Sequence, residues 1–316
     1  MTRTRNLFAA LTLALASLLP AGSAYALNSH SWVSSTGTGN ACTRLAPCAD
    51  FDTAQTATLA GGVISLLDPS NIPDFFIITK SLTIRAEGVD GGAALTNSSG
   101  LFIRIAAAAT DSVTLEGLHA TGLSSVQFLS GKELHIVGCV FQYQTVAGGY
   151  GIKFSPNSAS KLSVTDTVIT NMGSGTGGGI VINPQPGGIA QVALERVTVN
   201  GNAFGIAADG SNSTDGINMT IADSMIAGNA QDGIIATTSS GGAPIGVMVT
   251  NTKSVNNAFG IRSLGPNVTV RVKNSDVMGN ATGLSFSGGA VLATYGNNAV
   301  NANVVNGAFS GSIPLQ

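Results

Sequence analysis

Met219-Thr-Ile-Ala-Asp-Ser-Met-Ile-Ala-Gly-Asn229 decides the fold, because its arrangement returns twice downstream. The second copy is Val247-Met-Val-Thr-Asn-Thr252, running on to Asn257, and the third is Val270-Arg-Val-Lys-Asn-Ser-Asp-Val-Met-Gly-Asn280. The shared pattern places apolar residues at i and i+2, then Asp or Asn with Ser or Thr at i+4 and i+5. An apolar residue follows at i+7 and Asn at i+10. Weaker copies start at Val113, Leu134, Leu162, Val192 and Ala293, so successive starts lie 21 to 30 residues apart. Such self-similarity marks a solenoid, in which each unit buries its apolar face only against its neighbours. Alternation at period 2 makes the first segment a short strand, the polar pair bends the chain, and the i+7 residue anchors a second strand.

A third strand starts at a recurring Gly-apolar step: Gly151-Ile152, Gly179-Ile180, Gly205-Ile206, Gly233-Ile234, Gly260-Ile261 and Gly283-Leu284. These glycines are expected to supply the unusual backbone conformation of a sharp corner. Three strands per coil, each stacked on its counterpart about 4.8 Å away, predict an all-β, single-stranded, right-handed parallel β-helix. In that stack Asn202, Asn229, Asn257, Asn280 and Asn303 line up as a structural column whose amides hydrogen-bond along the axis. Asp166, Asp223, Asn251, Asn274 and Asn297 form a second, bend column.

Composition agrees with a sheet-dominated surface. Of 316 residues only 9% are charged, while 41 are Gly, so the polar surface falls to Ser, Thr and Asn. A formal net charge of -2, with no long Lys/Arg run, argues against a nucleic-acid partner. Residues 1–26 read as a secretory signal: Arg3 and Arg5, an apolar core from Leu7 to Leu19, then Ala24-Tyr25-Ala26 for cleavage. The expected product is secreted or periplasmic, with no membrane insertion after signal removal. In that compartment Cys42 and Cys48 are expected to form a disulfide. Residues 27–62 are assigned as an N-terminal cap region, with an amphipathic helix over 49–60 carrying Phe51, Ala54 and Leu59 on one side, and residues 63–316 as the β-helix proper. Val63 to Leu67 and Ser81 to Ile84 are its expected first strands. The end beyond Asn303 has no long helix, so the last coil is either lightly covered or pairs with another molecule, leaving a monomer or an end-to-end assembly.

The cysteine pair, Pro47-Cys-Ala-Asp-Phe51, Gly61-Gly62, Leu67-Asp-Pro69 and Ile78-Thr-Lys-Ser-Leu-Thr-Ile84 resemble exported bacterial β-helix proteins of the pectin-lyase-like superfamily. The resemblance spans essentially the whole mature chain but is one of fold, and that superfamily includes lyases, hydrolases and adhesins. Its polysaccharide hydrolases carry an Asn-Thr-Asp triplet, an adjacent Asp pair, Gly-His-Gly and Arg-x-Lys, in that order. Here no two Asp residues are adjacent and no Gly-His-Gly occurs; Asn274-Ser-Asp276 and Arg271-Val-Lys273 echo two of the motifs in reversed order. The outward columns of the first strands read Thr114, His135, Ser163, Ala193, Thr220, Met248, Arg271, Thr294 and Glu116, Val137, Thr165, Glu195, Ala222, Thr250, Lys273, Gly296. No acidic residues stack there as a calcium-dependent lyase requires, so no metal or other cofactor is expected.

Two constellations remain as candidate ligand-binding residues. Arg271 and Lys273, with Arg262 on a neighbouring coil, suit a carboxylated or sulfated glycan. His135 and Glu133, with Glu116 one coil below, lie near an aromatic-bearing loop from Tyr143 to Tyr150. Catalytic residues stay unassigned. The leading reading is a non-enzymatic β-helix that binds a polysaccharide or cell-surface component; the alternatives are a lyase or glycoside hydrolase acting on an acidic glycan, and a structural or assembly protein. Cys139 occupies the corner slot filled elsewhere by Thr167, Ser224, Thr252 and Ser275, and is expected to be a buried, inert thiol.

Overall fold

A computed structural model describes residues 27–68, 75–86, 93–97, 102–122, 125–175 and 177–314. The secretory signal read over 1–26 lies outside these residues, as does Pro69. Three parallel sheets wind into a β-helix: a twelve-stranded first sheet and nine-stranded second and third sheets. The repeat starts read from the sequence stand in register, Leu82 on Val113, Leu134, Leu162, Val192, Met219, Val247 and Val270. The last copy is the exception. Val270 pairs with Leu292, so that coil starts one residue before Ala293, and Ala293 rather than Thr294 stands over Arg271. The extra residue is absorbed at the bend, where Gly296 has φ +87°.

One inward residue from each strand position stacks on its counterpart to form a continuous core, including Ile136, Val164, Leu194 and Ile221 in the first sheet and Ile180, Ile206 and Ile234 in the third. Phe128 and Phe154 stack within it at 4.6 Å. The N-terminal end is closed by α1 (Phe51–Ala57), whose Phe51 and Ala54 are buried. This helix is shorter than the 49–60 expected. Asp50 caps its start by accepting from Thr53 N, and Thr58 is already extended. Thr58 Oγ1 is buried, donates to Ala54 O and is hydrogen-bonded to Ser31 Oγ, fixing a helix-to-strand switch. Leu59 therefore falls in a strand, Thr58–Leu66, and is 44% exposed instead of joining the helix face. A strand not expected from the sequence, Asn28–Val33, pairs with it, and the disulfide Cys42–Cys48 is tied to that edge through Trp32. At the other end residues 303–314 lie lightly across the last coil, where Val305 bridges Thr282 while Val304 stays exposed.

The asparagine column is a hydrogen-bonded ladder. Asn202, Asn229, Asn257 and Asn280 are buried, and in each the backbone N and Nδ2 both donate to Oδ1 of the next Asn, at 2.9–3.2 Å. The same Nδ2 also donates to a main-chain oxygen: Ile169 O, Val199 O, Ile226 O and Ser254 O in turn. Met172 N donates to Asn202 Oδ1 at one end, and Asn306 Oδ1 accepts from Asn303 at the other. A buried amide is tolerated because its donors and acceptor are all engaged.

The Gly-apolar step has a different cause from the one expected. Gly179, Gly205, Gly233, Gly260 and Gly283 do not adopt positive φ. They are required by close approach: a Cβ on Gly205 would lie 2.4 Å from Gly233 O and 2.6 Å from Ile226 Cγ2. Left-handed residues instead precede the ladder, at Asn171, Gly201, Gly228, Asn256, Gly279 and Ala302, and occupy the first bend at Asp166, Arg196, Asp223, Asn251 and Asn274. Asn and Asp enter that region more readily than other side chains, which accounts for the bend column at Asp166, Asp223, Asn251 and Asn274; in the last coil the left-handed residue is Gly296 and not Asn297.

Asn257→Ala strips the acceptor from Asn229 and removes a donor from Ile226 O, so it is expected to destabilise the protein by about 2–4 kcal/mol. Thermal unfolding followed by circular dichroism measures this, and an unchanged midpoint would contradict the ladder. Gly205→Ala is expected to cost about 1–3 kcal/mol through overpacking. Gly246→Ala, whose Cβ would meet only Asn218 Oδ1 at 3.3 Å, is expected to stay within about 0.5 kcal/mol of the parent in the same assay.

Candidate functional site

The outward residues of the first sheet form a shallow trough of about 630 Å³ running from Glu133 to Arg271. Registered pairing places Glu133, Lys161, Gln191, Asn218 and Gly246 in one row. His135, Ser163, Ala193, Thr220, Met248 and Arg271 form the next. Five steps of about 4.8 Å make the trough about 24 Å long. Its position follows from the loops that return the chain from the third sheet to the first. Segments 183–188, 210–215 and 238–244 are long beside the middle of the trough, whereas 131–132 and 265–267, at its two ends, are short.

Of the candidates read from the sequence, His135, Glu133 and Arg271 line the trough. His135 Nε2 lies 3.7 Å from Glu133 Oε2. Ser112 Oγ donates to Glu133 Oε1 at 2.7 Å, and this bond, with help from Lys132 and His135, holds the Glu133 carboxyl below its usual range. Lys273 shares the outward face of Val268–Lys273 with Arg271 and stands at the trough's far end. Glu116 is engaged elsewhere, accepting from Arg85 Nε at 2.7 Å two positions along the sheet from the His135 row. Neither Lys161 nor Arg271 makes an ion pair among the described residues.

The remaining candidates do not join this cluster. The segment from Tyr143 to Tyr150 is strand, not loop, over most of its length: Val140–Ala147 belongs to the second sheet and Tyr150–Phe154 to the third. Tyr143 is exposed with φ 65°, while Tyr150 carries Lys153 Nζ 5.1 Å from its ring centroid. Neither shares a face with His135. Arg262 also lies on the third sheet, apart from Arg271 and Lys273 on the first. Three strands per coil turn residues near in sequence onto three different faces.

The trough holds Lys161, Gln191 and Asn218, none of which the outward columns had included. Those columns began one residue after each repeat start, but Ala159–Thr165, Ile189–Glu195 and Gly216–Ala222 all extend further back. The same alternation carried one step earlier from Leu162, Val192 and Met219 points to all three.

Among the described residues no group of three or more His, Cys, Asp or Glu side chains could hold a metal ion. The Cys139 thiol is fully buried, and burial pushes its pKa up to about 12. It is expected to resist iodoacetamide at pH near 8 in the folded protein and to react after denaturation, as mass spectrometry would register; rapid native labelling would contradict its burial. No protein-family model matches the chain, and no curated protein matches it.

Proposed function

We propose that this is an exported, non-enzymatic β-helix protein that binds an extended anionic polysaccharide along the trough of the first sheet. The observation carrying this reading is the two rows of outward side chains at strand spacing, eight of the eleven able to hydrogen-bond, with Lys161 toward one end and Arg271 beside Lys273 at the other. A linear polymer of regular period matches a ladder of regular period, and unpaired cations favour carboxylate or sulfate groups. The exported character rests on the leader at 1–26 and the Cys42–Cys48 disulfide. The likeness to β-helix proteins of the pectin-lyase-like superfamily belongs to the same reading.

Binding is favoured over cleavage by the carboxylates. Acid/base glycoside hydrolysis uses two carboxyl groups about 5–10 Å apart, one of them with a raised pKa. Glu133 is shifted downward instead. Glu116, four strand positions from Ser112 in the coil below, is about 13 Å away along the strand direction alone.

Affinity electrophoresis tests the proposal. Migration is expected to be retarded in gels containing polygalacturonate or alginate, unaffected by neutral dextran, and restored by about 0.5 M salt. Arg271→Ala and Lys161→Ala are each expected to weaken binding about tenfold. Gly246→Tyr, which fills the trough at a position open to a side chain, is expected to abolish it. Equal retardation of parent and Gly246→Tyr would place binding elsewhere and sink the reading.

A further inference from the structure

The third sheet carries a second recess, of about 370 Å³, on a different face from the trough. Its floor is one outward column: Lys153, Val181, Ala207, Ile235 and Arg262 occupy successive coils in register. Three apolar residues in succession fill the middle of this column, between two cations. Val181 and Ala207 are each only 8% exposed. Phe204 helps enclose them, its ring lying across Gly178, where an added Cβ would come within 2.6 Å of Phe204 Cδ2. Tyr150 lines the Lys153 end, and Asn183, from one of the long loops, lines another side.

At the Arg262 end the recess contains a buried ion pair that is incompletely satisfied. Arg262 Nη2 donates to Asp232 Oδ2 at 2.5 Å, and the Arg262 guanidinium sits 4.3 Å from the Phe259 ring centroid. Asp232 is 3% exposed, yet its Oδ1 has no hydrogen-bond partner, and Arg262 Nε is likewise buried without one. Burial also pushes the Asp232 carboxyl above its usual range, against the pull of Arg262. A buried acceptor and a buried donor left open in one ion pair cost free energy that a ligand can recover.

We propose that this recess is a binding site for a neutral sugar unit, independent of the trough. A pyranose presents what the walls lack: an apolar ring face for Phe204 and Ile235 and, with a rotation of the Asp232 and Arg262 side chains that uncovers the two buried atoms, a hydroxyl that can donate to Asp232 Oδ1 and accept from Arg262 Nε. An acidic sugar fits less well, because Arg262 is already neutralised by Asp232 and a second carboxylate would face the first.

Saturation-transfer NMR on the full protein with cellobiose, maltose and lactose, and with digalacturonate as the acidic comparison, tests this. At least one neutral disaccharide at about 10 mM is expected to receive transfer, strongest on its ring C–H protons. Ile235→Glu, on the half-exposed outer face, is expected to reduce the signal about tenfold, and Asp232→Asn to reduce it while keeping a partner for Arg262. Gly246→Tyr is expected to leave it unchanged, which separates this site from the trough. Absence of transfer from all three neutral sugars, a signal insensitive to Ile235→Glu, a stronger signal from digalacturonate in the Gly246→Tyr background, where the trough is filled, or loss of the neutral-sugar signal in Gly246→Tyr would each overturn the proposal.

Discussion

A side-chain amide buried in an apolar stack must find a partner for every polar atom, and in this molecule its partner is the same amide one coil away. Each Asn of the ladder depends on the next for its acceptor and on the preceding one for its donors. Much else follows from this dependence. The residue before each Asn turns left-handed to aim the amide inward. The glycine after it has no side chain because the amide and the next coil's carbonyl occupy that space: a Cβ on Gly233 would lie 2.6 Å from Asn257 Nδ2. With the second and third sheets thus locked together, length variation is pushed to the third corner, where Asn183 and Asn212 line the recess of the third sheet.

Much of this architecture is legible in the residues. Stacking puts equivalent positions in contact, so apolar alternation at Met219, Val247 and Val270 reports the first sheet, and Asn at i+10 reports the ladder. What escapes is what does not repeat. The switch at Thr58 depends on a hydroxyl reaching Ala54 O and Ser31 Oγ, and nothing in Ala49–Ala60 announces it. The glycines were recognisable as a column, but a missing Cβ reads alike whether it permits a dihedral or makes room for a neighbour.

The candidate sites show the same division. Arg271 and His135 were readable as outward positions because the alternation fixes their side of the strand. Their separation from Tyr143, Tyr150 and Arg262 was harder to read, because assigning a residue to one of three faces requires the corner positions as well as the alternation. The pairing of Asp232 with Arg262 joins residues on adjacent coils near a corner, where the register between Phe259 and Ile261 sets which side chains meet.

The ladder also has a direction. Every bond to an Oδ1 runs toward the C-terminal end, from Met172 N through to Asn306, while each Nδ2 sends its other bond back to a main-chain oxygen of the coil before. A coil placed between Asn202 and Asn280 would therefore meet the same chemistry above and below, whereas a coil lacking the amide would interrupt the run. The ladder by itself therefore sets no number of coils. Because the trough is built from those same coils, its length would change in whole steps with the coil number.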